Sequence, residues 1–265
     1  MAKLEGEILF TGSLGNLSAY KMRGVDKIIL RRKGGATKQQ IKTSPAFENT
    51  RRVNAEFSGR ARASKWIMRM LRPLKALADY NVAGPLNALT RSVQVLDTVS
   101  VAGERHVMLS KNPAVLEGFS LNRQTLFESV VRAPLSATID KEKLTAQIAF
   151  PDLIPGIKFM PARRHSFYSF TAALGVIPDL LFTPDGYRPG HDAYSSLRPT
   201  FVETAWLPVV KRFDATTLEL KFGTALPDSA FTLVLSVGIR YGSATAENRI
   251  EQVRHAGSAK VARVG

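Results

Sequence analysis

The residues in this chain whose types and spacing could do chemistry are mainly cations. Sixteen lysines and arginines lie between Lys21 and Lys75, opposed only by Asp26, Glu48 and Glu56, so sixteen minus three gives +13 of the chain's formal net charge of +15. Guanidinium and ammonium groups at this density hold phosphates or carboxylates, and the remainder of the chain is close to neutral. One segment is therefore expected to meet an anionic neighbour while the rest forms an ordinary globular body. The candidate anion-contacting or assembly residues are Tyr20, Lys21, Arg23, Arg31, Arg32, Lys33, Arg51, Arg52, Arg60 and Arg62. A second cluster places Tyr187, Arg188, His191, Asp192 and Tyr194 close to Asp185, which brings carboxylates, an imidazole and phenols into one stretch. Those groups are raw material for an acid/base or ligand site. The same stretch, over 183–200, is also dense in turn formers, and tyrosine with arginine is the composition of interface hot spots, so an interface loop is the simpler expectation. Arg163-Arg164-His165 before Phe167, Tyr168 and Phe170 could stack bases. Alternating core aromatics on a strand explain it more economically.

Patterns for catalysis are missing. The chain has no cysteine, which removes disulfides, thiolate zinc sites and cysteine nucleophiles. His106, His165, His191 and His255 are far apart and form no metal-binding spacing, so neither a metal nor a cofactor is expected. Gly12 and Gly15 match no phosphate-binding fingerprint and read as turn glycines, and no G-x-S-x-G elbow occurs. No catalytic residue is assigned, and the chain is not expected to be an enzyme. Its first residues lack a basic segment followed by an apolar one, and no apolar run approaches the roughly 20 residues that cross a bilayer. A cytoplasmic protein without a membrane span is expected, with export lacking a cleaved signal, or incorporation into a larger particle, as other routes.

The elements that must position these residues follow from periodicity. Residues 4–33 read as a small meander, with strands at Glu7 to Phe10, Leu17 to Met22 and Lys27 to Arg32 around turns at Gly12–Asn16 and Arg23–Asp26. Lys33 to Lys38 reads as a flexible basic linker, so 1–43 forms an arm. Ser44 as N-cap, Pro45 and Glu48 start a helix, in which Phe47, Val53, Phe57, Ala61, Ile67, Met70, Leu71 and Leu74 share one side and most arginines the other. Gly59 is expected to weaken this helix by about 1 kcal/mol relative to alanine and to mark a break, and Pro73 to kink or end it. A second helix follows from Gly84-Pro85, with Leu86, Leu89, Val93 and Leu96 as its apolar stripe. Arg105 to Ser110 reads as a strand, and 44–132 as a helical module. From Pro134 the period becomes that of strands: a hairpin of Ser136–Asp140 with Leu144–Phe150, then His165–Leu174, Phe201–Val210, Thr217–Phe222 and Phe231–Tyr241. The last has Phe231, Leu233, Leu235, Val237, Ile239 and Tyr241 on one face. The fold class is expected to be α+β, with an antiparallel β-sandwich over 133–243 of immunoglobulin-like or jelly-roll type. Residues 244–265 read as a polar tail, free or ordered on a partner.

Three stretches taken together, Gly12-x-x-Gly15-Asn16-x-x-x-Tyr20, Arg31-Arg32-Lys33-Gly34-Gly35 and Ser44-Pro45-Ala46-Phe47-Glu48-x-x-Arg51 with Asn54-x-x-Phe57, resemble an uncharacterised family of soluble proteins from Bacteroidota. The resemblance covers about the first 95 residues well and the remainder loosely. It implies a glycine-rich hairpin ahead of helices and a β-rich C-terminal half, and carries over no activity or site residue.

The expected function is that of a structural protein assembling with copies of itself as a filament, tube or shell. Its small hairpin cannot stand alone, both ends read as arms, and a β body offers edges to an incoming strand. The alternative is sequence-nonspecific nucleic-acid binding through 21–75, with an acidic protein surface as another anionic partner.

Overall fold

The structure, a computed structural model, describes residues 2–4, 10–22, 25–245, 247 and 249–265, with the backbone alone described for 2–4. Its contacts divide the chain into two units, 1–51 and 52–265. The fold is α+β with a β-rich C-terminal half, as expected.

In the first unit β1 (Ala2–Leu4), β2 (Gly12–Leu14), β3 (Leu17–Tyr20) and β4 (Ile28–Arg32) form an antiparallel sheet in the order β1-β4-β3-β2. The expected strand at Glu7–Phe10 and turn residues Arg23 and Gly24 lie outside the described residues, apart from Phe10, which is in no strand. Ala19, Ile28 and Ile29 are buried, while Leu14 and Met22 are exposed. Pairing of Tyr20 with Ile29 and of Ser18 with Arg31 makes Tyr20 and Arg31 diagonal neighbours, and the guanidinium lies 5.6 Å from the ring centroid. The basic linker ends earlier than its composition suggests. Thr37 and Gln40 make a reciprocal capping box that starts α1 (Lys38–Thr43). Ser44 then precedes a 3-10 turn, Pro45–Phe47, without a side-chain cap bond.

α2 (Glu48–Met70) starts in the first unit and continues through the second without the break expected at Gly59. A Cβ at Gly59 would sit 2.6 Å from the ring of Tyr187, so the glycine is there for close packing, and that contact outweighs its poor helix propensity. Pro73 does end the α-helix, in a 3-10 segment Arg72–Leu77. α3 (Ala83–Val95) follows, burying Leu86 and Val93 but leaving Leu96, expected in its stripe, exposed beyond the last turn. The strand expected at Arg105–Ser110 is reduced to one bridge, Val107 to Leu180. α4 (Phe127–Val130) completes the α-helices among the described residues.

β5 (Ser136–Asp140), β6 (Thr145–Phe150), β7 (Phe167–Pro178), β8 (Leu180–Thr183), β9 (Gly186–Pro189), β10 (Thr200–Glu203), β11 (Leu207–Pro208), β12 (Thr216–Lys221), β13 (Phe231–Ala244) and β14 (Ile250–Val264) make up the β portion. The main sheet runs β10-β7-β13-β14, with β11 on the end of β7, and a second runs β12-β6-β5. All pairings are antiparallel. One face of the main sheet, with Tyr168, Phe170, Leu174, Leu233, Leu235 and Ile239, packs against Ile148, Phe150, Leu218 and Leu220 of the second. Its other face, including Ile177, Val234, Ala259 and Val261, packs under Ile67, Met70, Leu74 and Leu77 from α2 and the segment after it. A Cβ at Gly175 would meet Cβ of Met70 at 2.5 Å, so β7 must be bare there for the helix to seat. The main sheet is therefore buried on both faces, and β7 reads as a continuous apolar run with small residues on its helix side. The helical stretch shares this core with the sheet and does not close a module of its own.

Two expectations need correction. Residues 244–265 are not a polar tail: β14 pairs with β13 from Ala244↔Ile250 to Val234↔Val264. Its composition looks polar, yet Ala256, Ala259 and Val261 are buried, and Lys260 and Arg263 pair with Glu128 and Glu117 at 2.6 and 2.9 Å. The loop expected at 183–200 begins as the hairpin β8–β9 and continues as a 3-10 turn, Asp192–Ser196. Among the described residues no helix is long and apolar enough to cross a membrane.

Candidate anion-binding groove

The sequence-predicted cations separate into those the protein uses internally and those it presents. In the first unit, Arg51 donates from Nη1 to the carbonyls of Ile41 and Ser44, both at 2.8 Å, and so ties down the end of α1. Lys33 donates to the carbonyl of Gly15 at 3.1 Å, closing the β2–β3 turn. Lys21 and Arg32 are exposed.

In the second unit, Arg52 packs its stem against Gly103. Arg60 belongs to a buried network. Its Nη2 meets Glu56 Oε2 at 3.0 Å, and its Nε donates to Gln94 Oε1 at 2.7 Å. Glu56 Oε1 accepts from the N–H of Gly103 at 3.0 Å. Gln94 donates to the carbonyl of Arg105 and to the hydroxyl of Tyr187, which in turn donates to the same carbonyl at 2.8 Å. Burial pushes the Tyr187 phenol up to about 12, with the negative charge of Glu56 adding to it, so Tyr187 stays a neutral donor. Beside the network, Asp97 accepts from the N–H groups of His106, Ser100 and Val99. Burial raises its pKa, but these bonds outweigh burial and hold the carboxyl well below the usual range.

Arg62 points the other way and, with residues further along, opens a groove. The spacing 62, 65, 69 puts these side chains on one face of α2, Arg72 and Lys75 follow on the 3-10 segment, and β9 with the 3-10 turn after it forms the opposite wall. The upper part is a cavity of about 420 Å³ lined by Arg62, Lys65, Arg69 and Arg188 together with Trp66, Tyr187, Pro189, Asp192 and Ser195. The lower part, about 440 Å³, is lined by Lys65, Arg69, Arg72, Lys75 and Arg198 over Met68, Leu71, Ala78, Val82 and Leu121. Lys65 and Arg69 are common to both, so seven cations line the groove against one lining carboxylate, Asp192. Arg62 and Arg69 each donate to a backbone carbonyl of the opposite wall, at Tyr187 and Ser195, and Arg69 lies 4.9 Å over the Trp66 ring. Arg188 pairs with Asp185 at 2.9 Å. Lys65, Arg72 and Lys75 have no carboxylate partner among the described residues and are exposed. Such a surface can coordinate several anionic groups in a row.

The cluster at 185–194 comes apart. Tyr187 and Tyr194 are buried, each 1% exposed, and cannot act as surface anchors. Tyr194 and His191 converge instead on Asp228, His191 Nε2 at 3.4 Å and the Tyr194 hydroxyl donating to Oδ1. Burial and that carboxylate push the Tyr194 phenol up. Asp192 and Arg188 reach the groove, while Asp185 stays outside it. Tyr168 and Phe170 are fully buried core aromatics, unavailable for stacking on bases. Sequence reasoning placed Lys65, Arg69, Arg72 and Lys75 in the basic segment without selecting them. Their three- and four-residue spacing from Arg62 is the signal that finds them; Arg198 has no such signal. No protein-family model, curated protein or solved structure matches the chain.

Proposed function

We propose that this protein binds nucleic acid without reading its sequence, along the basic face of α2, and performs no chemistry on it. The observation that carries this reading is the groove: seven cations from α2, the segment after it and the facing wall against one lining carboxylate, three of the seven with no carboxylate partner among the described residues. From residue 62 to 75, along the last turns of α2 and the 3-10 segment after it, the cations span at most about 20 Å, at about 1.5 Å and 2 Å per residue respectively. One strand of nucleic acid presents roughly six phosphates over that length, at about 3.4 Å each. Contacts to phosphates position a ligand without reading bases. The reading implies a cytoplasmic protein in contact with cellular nucleic acid.

The test is fluorescence anisotropy of a labelled 20-nucleotide strand with nuclease-treated protein between 50 and 300 mM salt. The expected slope of log affinity against log salt is about −4 to −5 for roughly six neutralised phosphates. Absence of binding at the lowest salt would end the reading.

A second reading, self-assembly, is favoured by the first unit. Its sheet buries few apolar side chains among the described residues and exposes Leu14 and Met22, so it lacks the interior that makes a small sheet stable alone. Other support has narrowed. The C-terminal strand is paired with β13 and bonded on its other side to residues 118–121, which removes it as a free arm, while β10, β12 and β5 remain sheet edges. Sedimentation at two concentrations tests it, with a monomer throughout as the result against it.

A further inference from the structure

The lower part of the groove differs from the upper in its floor. Met68, Leu71, Ala78, Val82 and Leu121 are aliphatic or small, and Leu71 and Leu121 are buried at its base. Around them stand Lys65, Arg69, Arg72, Lys75 and Arg198, with no carboxylate in the lining. A row of phosphates would use this rim and leave the floor facing water. A ligand complementary to both has an anionic head and a hydrocarbon body. The cavity, about 440 Å³, is within the range of small-molecule sites, about 300–1,000 Å³.

We propose that this cavity binds an amphiphilic anion, a medium-chain carboxylate whose head is held by the rim cations and whose chain covers the floor. Arg72 offers a guanidinium fork for bidentate contact with the carboxylate, Arg69 the N–H groups it does not give to Ser195, and Lys65 and Lys75 add point charge. The alkyl stems of these side chains extend the apolar wall upward while their charged ends stay in water, so head and tail of the ligand meet matching surfaces at matching depths. The site does not rest on the nucleic-acid reading, but its five rim cations, Lys65, Arg69, Arg72, Lys75 and Arg198, all belong to the groove of that reading, so a bound carboxylate and a bound strand should compete where both occur. The same head-and-chain chemistry is found in anionic membrane lipids, and the experiment separates the two sources.

The test is titration calorimetry of the whole chain with hexanoate, octanoate, decanoate and dodecanoate below their micellar concentrations, at fixed ionic strength. Each added methylene should tighten binding by about fourfold until the floor is covered. Dodecyltrimethylammonium, with the same chain and the opposite charge, should not bind. Ala78→Trp, which fills the cavity, should abolish dodecanoate binding. Val82→Thr, nearly isosteric, should weaken dodecanoate several-fold without disturbing the fold. An affinity independent of chain length, or equal binding of the ammonium, would overturn the proposal. So would binding to anionic vesicles that Ala78→Trp leaves intact while free dodecanoate fails to bind, because the rim alone would then suffice. Failure of nucleic-acid binding alone leaves the carboxylate site standing.

Discussion

At the middle of α2 the guanidinium of Arg60 is committed to Glu56, in the half before it, and to Gln94 on α3. In the second half and the turn beyond it, Lys65, Arg72 and Lys75 reach solvent with no carboxylate partner among the described residues. Both halves carry arginines, although Glu48 and Glu56 lie in the first and no acid lies from 60 to 75. The difference is that a carboxylate, an amide and backbone groups from α3 and residues 103–105 reach the first half, whereas the second faces a wall that supplies carbonyls, Arg188 and Arg198. A cation satisfied by its own protein holds the fold, and one left unsatisfied can serve a ligand. Counting charge along the chain finds the second stretch but does not show that Arg60 is occupied.

The strongest test of this contrast is a pair of truncations. Arg60→Ala leaves the nearly buried Glu56 with only the more distant Arg105, at 3.8 Å, and the Gly103 N–H, and should cost about 3 kcal/mol in urea unfolding, whereas Arg72→Ala should stay within about 0.5 kcal/mol. Equal costs would erase the distinction between the halves. Next in size, the double variant Lys65→Glu with Arg72→Glu should lower affinity for a nucleic-acid strand on the order of a hundredfold at 50 mM salt, with a shallower salt slope. Its unfolding midpoint should barely move. Gly59→Ala gains helix propensity, yet its Cβ would meet the Tyr187 ring at 2.6 Å. Overpacking should win, with a net loss of about 1–2 kcal/mol; a gain in stability would mean that β9 can retreat from α2 without penalty.

The smallest effect concerns pH. The Asp97 carboxyl is depressed in the folded protein, so below the ordinary aspartate value of about 3.9 the unfolded chain binds the proton more readily. Its contribution is fully present above that value and is lost as pH falls through the folded pKa. Asp97→Asn should therefore flatten the acid limb of the stability profile below about pH 4 and leave the groove's affinity at pH 7 unchanged.

Much of the architecture was legible in the chain because it is periodic. The alternation from Phe231 to Tyr241 gives the core face of β13, and Pro73 gives the end of α2. What misled was composition. Residues 250–264 are rich in Ala, Gly, Ser and charge, which reads as a solvated tail, but small residues are what a strand needs to lie beneath packed helical segments. The 183–200 stretch reads as a loop because it is dense in glycine, proline and aspartate, and its tyrosines read as surface anchors until their buried partners are seen. Of the candidate site, the basic helix face was visible and its opposite wall was not.

By itself the sequence determined the concentration of charge in one segment, the helical register that gathers Arg62, Lys65 and Arg69 on one face, and the β-rich half, because these depend on neighbours within a turn or a strand. Only the tertiary structure decided which arginines are occupied, why Gly59 is a glycine, and that Tyr187 and Ser195 supply the groove's far wall. Each of those depends on a contact with a distant residue, such as the one between Arg62 and Tyr187, 125 positions apart. Side chains that far apart in sequence meet only because the buried main sheet fixes where its connections return.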